Sequence, residues 1–402
     1  MKILIWNKSI ELRDTGGPFG YLFKLHKYLE SHDSSDIAFY SDVVRCENNV
    51  LPLEQHSKGG IKQRIKNNSF LMFLYEIWKG YFAKISLSNS ERELLKEFTA
   101  VHVHTAVEAL QYSDAFHQEG KKVILTTHTP EPFTTEFFNH GNNNGKYSWM
   151  LRIPFLQYFL IQRELKAYDK ADVILFPVPQ AREAYTEANR SFKKKFARID
   201  NKFCYVPTAI NETFESKNEH VLDNVVLSKE NLRVCYIGRH NTIKGYDTIK
   251  QIAEKVWLNN ENVEFIVGGK ESPLYGLKDK RWHELGWVST YNLMNEVDVF
   301  ILPNKQTYYD LILLEVMRSS VPIVLTRTGG NKWFEQYDGN EGLFFYDYGD
   351  NSAAAEIICG LVELKNKQLL KDLGEKNKIL FKETSTFKQY IVTYTTVLRD
   401  VL

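Results

Sequence analysis

The segment GRHNTIKG, residues 238–245, holds two cations, Arg239 and Lys244, in a turn bounded by glycines. An apolar run precedes this turn, and a helical pattern follows it. Glycine lets the backbone turn tightly, and the free N–H groups and positive dipole of a helix N-terminus attract anions. These residue types in this order favour a phosphate site, with a solvated basic loop as the alternative. The GxxxxGK[ST] pattern of a P-loop does not occur in the sequence.

A second glycine turn lies near the start of the chain, in DTGGPFGYLFKLH (14–26). Gly16, Gly17 and Gly20 would lead the backbone flexibly into a helix. Because the spacing is not GxGxxG, the turn does not support a dinucleotide-binding fingerprint.

Two histidines, His104 and His128, lie at the ends of successive apolar runs, VHVH (101–104) and KVILTTH (122–128). One such histidine is more often a satisfied core residue than a catalyst. Two at neighbouring strand ends make a functional role more plausible. Neither has the spacing of zinc ligands, and no Asp-x-Asp occurs in the chain. Chemistry on a diphosphate would therefore depend on Arg, Lys and helix termini.

Glu315 is a single carboxylate in the apolar stretch TYYDLILLEVMRSSVPIV (307–324). Burying a carboxylate without partners costs several kcal/mol. Helical spacing does not decide whether Glu315 faces solvent or the protein, so its role stays open at this point.

Short apolar runs alternate with amphipathic segments along most of the chain, which is typical of βαβ units and parallel sheets. In the first half, predicted strands are 2–6, 101–104, 122–128, 171–177 and 202–207, and predicted helices are 20–30, 153–168 and 180–188. After a polar stretch at 211–232, predicted strands are 233–238, 263–269, 297–303 and 321–326, and predicted helices are 245–257 and 307–320.

These two sets predict two doubly wound α/β domains, as expected for 402 residues. We place the first at 1–210 and the second at 211–384. The last segment, 385–402, is predicted as a helix that packs back across the first domain. In open parallel sheets, ligands bind at the carboxyl ends of the strands. Two such domains would form one cleft between them.

The composition argues against several classes of protein. Lys plus Arg (51) nearly equals Asp plus Glu (50), which gives no indication of a nucleic-acid partner. The four cysteines are widely spaced, as expected in a reducing cytoplasm without structural zinc. The start, MKILIWNKSI, is too short and polar for a signal peptide, and no apolar run is long enough to span a membrane. We therefore expect a cytoplasmic protein that can contact a membrane surface.

In chain order, the motifs resemble the retaining nucleotide-sugar glycosyltransferases of the glycosyltransferase-B fold, family four, or glycosyl transferases group 1. The resemblance covers nearly the whole chain. In the first domain it lies in GG before a helix, VHVH, ILTTH, ADVIL and YVPTAINETF. In the second it lies in YIGRHNTIKG, FIVGG, LGWVS, VDVFILPN and TYYDLILLEVMRSSVPIVLTRTGG.

The resemblance implies roles for particular residues. Positions 307–315 correspond to a Glu-x7-Glu element, so Glu315 would hold the ribose hydroxyls of the donor. The predicted catalytic residues are His128, Arg239, Lys244 and Asp310. The predicted donor-binding residues are Gly16, Gly17, Arg239, Lys244, Trp287, Val288, Thr307, Asp310, Leu311 and Glu315, with the backbone of 287–288 along the base. His104 and Glu131 are predicted on the acceptor side.

Two departures from the family pattern fall in this element: Thr307 replaces the first glutamate, and Asp310 replaces a glycine. One explanation is local, with Thr307 as a helix N-cap and Asp310 three residues on, a variant of the capping box. The other is functional, with Asp310 accepting a hydrogen bond from a donor-sugar hydroxyl. A third departure, VPTAI in place of Val-Pro-Asn-Gly-Ile/Val, affects the hinge turn.

The family resemblance predicts transfer with retention and without a metal, from a UDP-linked nucleotide sugar and with no other cofactor. The predicted acceptor is a saccharide, linked to a lipid diphosphate as in capsule or O-antigen assembly. Two segments, 58–85 and 146–159, interleave basic and aromatic residues, which suits an anionic membrane interface. Helices that pack the aromatics inward are the alternative.

Other functions stay open. Thr307 and Asp310 allow a catalytically weakened homologue that acts as a partner or chaperone of another transferase. A sugar-nucleotide epimerase, or a phosphorylase that uses pyridoxal phosphate, is a further possibility on the same fold.

Overall fold

The computed structural model describes residues 1–8, 12–13, 17–32, 36–47, 68–143, 147, 149–213, 220–222, 225–228, 230–270, 272–365 and 368–402. Side chains are described for these residues except 17–19, 45–47 and 140–143. The chain divides into two compact units. The first contains 1–176, 183–206 and 394–402, and the second contains 177–182 and 207–393. This division falls at 206/207, close to the predicted 210/211.

The first unit is built on a six-stranded parallel sheet in the order β2-β1-β3-β4-β5-β6. Its strands are β1 (Ile3–Ile5), β2 (Ile37–Phe39), β3 (Ala100–Val103), β4 (Lys122–Thr126), β5 (Val173–Phe176) and β6 (Phe203–Tyr205). Its helices are α1 (Gly17–Ser31), α2 (Tyr40–Glu47), α3 (Ser69–Tyr81), α4 (Asn89–Leu95), α5 (Ala106–Gln118), α6 (Phe133–Asn143), α7 (Leu156–Lys170), α8 (Glu183–Thr186) and α9 (Arg190–Arg198). Short 3-10 turns occupy Met150–Arg152 and Asp200–Lys202.

The second unit has another six-stranded parallel sheet, in the order β12-β11-β10-β7-β8-β9. Its strands are β7 (Leu232–Ile237), β8 (Val263–Gly268), β9 (Trp282–Gly286), β10 (Val299–Leu302), β11 (Ile323–Thr326) and β12 (Leu343–Tyr346). Its helices are α10 (Tyr246–Asn259), α11 (Thr290–Met294), α12 (Leu311–Arg318), α13 (Asn351–Lys365) and α14 (Leu369–Thr384), with 3-10 segments at Pro179–Arg182 and Gly329–Gln336.

The central strands are buried on both faces, which explains why they are continuous apolar runs. Every predicted strand is present, and most are shorter than their apolar runs. The sequence analysis missed β2, β9 and β12. All three lie at sheet edges, where a strand has one neighbour and its side chains are less completely buried. Two parallel sheets with surrounding helices confirm the predicted fold class.

The last helix, α15 (Phe387–Val401), begins in the second unit and ends in the first. Its Tyr394 hydroxyl lies 2.9 Å from Nδ1 of His102 in β3, and Arg399 lies 3.3 Å from Asp36. The predicted return of the C-terminal helix to the first domain is therefore confirmed. Within the described part of the chain, no helix has the length and apolar character needed to cross a membrane.

Candidate active site

Three loops of the second unit follow the carboxyl ends of the adjacent strands β7, β10 and β11, and the first two pack tightly together. Gly245 has φ +70°, and a Cβ at this position would lie 1.9 Å from the carbonyl oxygen of Pro303. The N–H of Lys305 also donates to the Ile243 carbonyl at 3.0 Å. Only glycine fits such a backbone contact. Gly245 therefore lets the 238–245 loop rest on the 303–310 loop.

The third loop is joined to the same frame by another glycine. A Cβ on Gly329, which has φ +45°, would lie 2.0 Å from the Thr307 carbonyl oxygen. Thr307 itself is almost fully buried, so its hydroxyl lies inside this packing and not on the surface. The predicted donor-binding role of Thr307 stays untested, and its burial explains why a small side chain occupies the position.

Lys244 is bound to Asp310 across these loops. The Nζ of Lys244 lies 2.5 Å from Oδ1 of Asp310, and both side chains are partly buried, 21% and 14% exposed. The other carboxylate oxygen accepts a hydrogen bond from the amide of Asn304, which is fully buried. The backbone N–H of Lys244 donates to Asn241 at 2.9 Å. The predicted catalytic residues Lys244 and Asp310 thus form an ion pair, with Asn304 as a third member that sequence reasoning missed.

Arg239 is exposed on the first of these loops, and its carbonyl accepts a hydrogen bond from the Tyr236 hydroxyl at 3.0 Å. Burial, with the nearby charge of Asp310, raises the pKa of Tyr236 above its usual range. Tyr236 therefore stays protonated and holds the backbone at Arg239 as a neutral donor.

The capping explanation for Thr307 is wrong. The helix α12 begins at Leu311, and Asp310 occupies the N-cap position with an extended backbone and no side-chain hydrogen bond to the helix. Its carboxylate is directed to Lys244 and Asn304 instead. Asp310 therefore takes part in a long-range ion pair and not in a local helix cap.

Glu315 lies on α12 with intermediate exposure, between the buried Leu314 and Val316. Its neighbour one turn on, Arg318, donates to the carbonyls of Asn211 at 2.6 Å and Thr213 at 3.1 Å. Burial lowers the pKa of Arg318 to about 10, and the charge of Glu315 opposes that shift. Glu315 is thus a partly exposed carboxylate beside a fixed cation.

The ends of β8 and β9 contain the predicted base-contacting residues. A Cβ on Gly268 would lie 2.7 Å from Cγ2 of Val288, and a Cβ on Gly269 would lie 2.0 Å from the carbonyl of Gly238. Trp287 is 91% exposed. Val288 and the loop that carries Arg239 therefore both pack against the glycines at 268 and 269, and the Trp287 side chain is exposed to solvent.

A polar cluster missed by the sequence analysis lies behind this loop. His240 stacks on Tyr246, with ring centroids 3.9 Å apart and planes 9° apart. Glu284 accepts hydrogen bonds from the Tyr246 hydroxyl and, at 2.7 Å, from the Trp282 indole. These bonds tie the start of α10 to β9. No local pattern indicates them, because Glu284 belongs to an edge strand that the periodicity did not reveal.

In the first unit, His104 and His128 are brought together at the ends of β3 and β4. Nδ1 of His104 lies 2.9 Å from Nε2 of His128, and the rings are stacked 5.1 Å apart. His102 packs 4.2 Å from His104 and is held by Thr126 at 2.8 Å and by Tyr394. Burial lowers the pKa of His128 to about 4 and that of His102 to about 3, and holds the pKa of His104 well below its usual range. All three imidazoles are neutral near pH 7.

The contacts of His104 indicate which nitrogens carry protons. Its Nε2 is buried and has no hydrogen-bond partner among the described residues. A buried N–H without an acceptor is rarer and more costly than an acceptor without a donor. We therefore assign the proton of His104 to Nδ1, from which it donates to Nε2 of His128. The proton of His128 then lies on its Nδ1, and the ring is a neutral hydrogen-bond donor there.

The remaining predicted residues lie apart from these pairs or outside the description. Glu131, three residues beyond His128, accepts a hydrogen bond from the side-chain amide of Asn139 at 3.0 Å. Gly17 begins α1, and Gly16 lies outside the described residues. Among the residues that the structure describes, no group of three or more His, Cys, Asp or Glu side chains is placed to hold a metal ion.

Part of the second unit matches a known protein family, and the whole chain resembles solved structures. Residues 231–363 match the family model described as glycosyl transferases group 1. A sequence search of curated proteins gives no match. The solved structure of sucrose-phosphate synthase from Thermosynechococcus elongatus is similar with a TM-score of 0.61 and 12% identity, over 100% of this chain and 99% of that one.

Two further solved structures are similar over the whole length. Anabaena HepE in complex with UDP has a TM-score of 0.59 and 12% identity, covering 100% of both chains. A glycosyltransferase from Rickettsia africae has a TM-score of 0.60 and 13% identity, over 100% of this chain and 98% of that one. At this identity the structures establish the fold, and the family match concerns residues 231–363 of the second unit. The second unit thus matches the group 1 glycosyltransferases, and the chain has the fold of these solved structures, the glycosyltransferase-B fold.

Proposed function

We propose that this enzyme transfers a sugar from a UDP-linked donor to a saccharide acceptor, with retention at the anomeric carbon and without a metal ion. The observation that carries the proposal is the glycine-dependent loop at 238–245. It brings Lys244 and Arg239 to the N-terminus of the fourteen-residue helix α10. Anabaena HepE, which has the same fold, has been solved with UDP and with UDP-glucose. These structures support a UDP-linked donor for the present chain.

In the proposed reaction, the second unit stabilises the leaving diphosphate. Arg239 contributes an exposed guanidinium, and the N-terminus of α10 contributes the positive end of the helix dipole. An ammonium has three N–H donors, so Lys244 can keep its bond to Asp310 and bind a phosphate oxygen with another. The ion pair holds Lys244 in place and lowers the net charge of the site.

The transfer step needs no separate nucleophile from the chain. The acceptor hydroxyl oxygen bonds to the anomeric carbon on the face from which the phosphate departs. The bond from that carbon to the phosphate oxygen breaks, its electron pair stays on the phosphate, and the hydroxyl proton passes to this oxygen. His128, as a neutral donor, binds a sugar hydroxyl and does not act as an acid. Glu315 accepts from the ribose hydroxyls, and Asp310 accepts from a donor-sugar hydroxyl with a free lone pair.

The proposed acceptor is a saccharide on a lipid diphosphate, used in assembly of a bacterial surface polysaccharide such as capsule or O-antigen. His104 and Glu131 are assigned to the acceptor side, and His104 would act there through His128. The enzyme would then work in the cytoplasm, at the inner face of the plasma membrane. Support comes from the exposed aromatic side chains of the first unit at 70–78 and 149–159.

One observation favours a second candidate function. The bond between Lys244 and Asp310 compensates a cation that would otherwise bind phosphate freely. A protein whose donor site is weakened in this way could serve as a partner of another transferase. This candidate predicts weak nucleotide binding and no turnover.

The test is a panel of nucleotide sugars, screened by thermal shift and then by release of nucleoside diphosphate with and without a saccharide acceptor. We expect one UDP-sugar to raise the melting temperature and to be consumed when acceptor is present. Chelation of divalent metals should not change the rate, and NMR of the product should show the donor's anomeric configuration. Binding without turnover across the panel would favour the partner function, and an inverted product would contradict retention.

A further inference from the structure

The outer face of α3 carries large apolar side chains that are exposed to solvent, namely Phe70, Leu71, Leu74, Tyr75 and Trp78. Residues four apart lie on the same face of a helix, so these side chains form a continuous stripe. The buried residues of α3, Phe73 and Tyr81, pack on the other side of the helix. The stripe is therefore additional to the core-facing side of this helix.

The segment 149–159 extends the stripe onto α7. Trp149 is 63% exposed and Phe155 is 84% exposed, and Tyr158 and Phe159 are also largely exposed. The rings of Trp149 and Phe70 stack at 6.3 Å, which joins the segment to α3. We call the exposed side chains of 70–78 and 149–159 the aromatic surface.

Phe155 is held in this surface at a cost to the backbone. Its φ is +62°, in the left-handed region that bulky residues rarely adopt. Burial of the ring does not offset this cost, because most of the side chain is exposed to solvent. Strain of this kind usually persists where a function requires it. The position of Phe155 therefore indicates a contact that the isolated chain does not make.

A basic helix lies beside the aromatic surface. On α9, the side chains of Arg190, Lys193, Lys194 and Arg198 are exposed while Phe192 and Phe196 are buried. The helix is joined to α7 by a hydrogen bond from Gln162 to Ser191 at 3.2 Å and by an ion pair from Lys195 to Asp169 at 2.7 Å. We call the four exposed cations the basic face.

The charges decide which occupant suits these two surfaces. The sequence 149–159 contains one charged residue, Arg152, and 190–198 contains five cations and no acid. Trp and Tyr side chains favour the headgroup region of a bilayer, and clustered Lys and Arg bind anionic lipid. A protein partner could cover the aromatic surface alone, but the adjoining basic face favours an anionic lipid surface.

We propose that the first unit docks on an anionic membrane, with the aromatic surface in the headgroup region and the basic face on the lipid phosphates. The inference deepens the proposed function and rests on it, because docking would bring the enzyme to a lipid-linked acceptor. Of the basic residues in the predicted segment 58–85, Lys58, Lys62, Arg64 and Lys66 lie outside the described residues, and Lys84 binds Asp114 at 2.8 Å. The basic face of α9 was not recognised in the sequence.

The experiment is flotation of the full chain with vesicles of phosphatidylcholine alone or containing about one third phosphatidylglycerol. We expect binding to the anionic vesicles that weakens as salt rises. The double variant Lys193→Gln and Lys194→Gln should weaken partition by about fivefold for each cation removed. The matched control, Lys371→Gln with Lys382→Gln on α14, removes two exposed cations from the second unit and should bind as the parent does.

The aromatic surface has its own variants. Trp149→Ser should lower vesicle binding severalfold, whereas Leu258→Ser, at an exposed position of α10, should not. Phe155→Gly should weaken vesicle binding and leave the melting temperature equal or higher, because glycine relieves the left-handed backbone. A side chain with only a structural role would show the opposite pattern.

The outcomes separate docking from transfer. Loss of vesicle binding with unchanged transfer to a water-soluble acceptor analogue would support docking. Parent protein that transfers sugar but does not float with anionic vesicles would overturn docking and leave the proposed function intact. Vesicle binding without any sugar transfer would support docking and contradict the proposed function. If Trp149→Ser instead converts a dimer into a monomer in sedimentation without lipid, the aromatic surface is a contact between two copies and the docking proposal is wrong.

Discussion

Each unit of the chain brings two ionisable side chains together at neighbouring strand ends, and one pair is charged while the other is neutral. Lys244 and Asp310 in the second unit form a partly solvated ion pair with opposite charges. In the first unit, the buried His104 and the partly buried His128 form a pair in which both rings are neutral.

The difference follows from what each pair would gain by ionising. A cation beside a carboxylate is stabilised by it, and partial exposure reduces the cost of desolvation. Two imidazoles beside each other cannot both be charged, and burial penalises even one charge. The second unit is therefore suited to a charged diphosphate, and the first to neutral hydroxyl groups.

The largest effect is expected from removing the cation of the second pair. Lys244→Ala should reduce transfer by roughly ten- to a hundredfold, because a charge-assisted hydrogen bond of about 1.5–3 kcal/mol is lost and Asp310 is left uncompensated beside the phosphate. Arg239→Ala should have a similar effect. Steady-state kinetics measures both, with Lys255→Ala on α10 as the control. Near-normal turnover in both variants would exclude the diphosphate assignment.

Asp310→Asn removes the negative charge of the same pair and leaves the positive charge of Lys244 uncompensated. We expect the variant to bind UDP more tightly, because Lys244 is no longer neutralised, while the transfer rate falls about tenfold through loss of the acceptor for the sugar hydroxyl. Calorimetry and rate measurements test the two parts. The exposed Asp338→Asn serves as control. A lower melting temperature with an unchanged rate would mean that Asp310 has only a structural role.

Glu315→Gln should weaken donor binding by about tenfold while the protein stays folded. The ribose hydroxyls lose an ionised acceptor, and a charged acceptor contributes about 1.5–3 kcal/mol. Calorimetry with UDP measures the change, and Glu254→Gln on the exposed side of α10 is the matched control. Equal affinity for UDP would contradict the ribose role.

The smallest effect concerns the neutral pair. His104→Phe removes the donor to His128 and should lower the transfer rate by about fivefold, whereas His104→Asn, which keeps an N–H donor, should recover most of it. Nitrogen NMR should show the His128 proton on Nδ1 in the parent and a mixture of tautomers in His104→Phe. The pKa of His128 is lowered to about 4, so its ring is neutral above that pH.

Between pH 5.5 and 8, the rate should accordingly show no inflection from His128. An inflection near pH 6.5 that disappears in a His128 variant would mean that the ring titrates normally and that the neutral pair is misassigned.

The sequence by itself determined the elements whose signals are local. Buried parallel strands are continuous apolar runs, and the glycines at 245 and 329 mark turns in which a side chain does not fit. The order of these motifs was enough to predict the resemblance to the family, and it placed Arg239 and Lys244 after β7 and Glu315 on the helix that follows β10.

Only the tertiary structure decided how those residues pair. Lys244 and Asp310 are 66 positions apart, and Asn304 is buried beside them, so no periodicity connects the three. The same applies to the edge strand that carries Glu284 and to His102, whose partner Tyr394 is 292 positions away. Helix and strand patterns report which face of an element is buried. Hydrogen bonds between loops depend instead on where the sheet order brings the strand ends, and that order is set by packing of the whole unit.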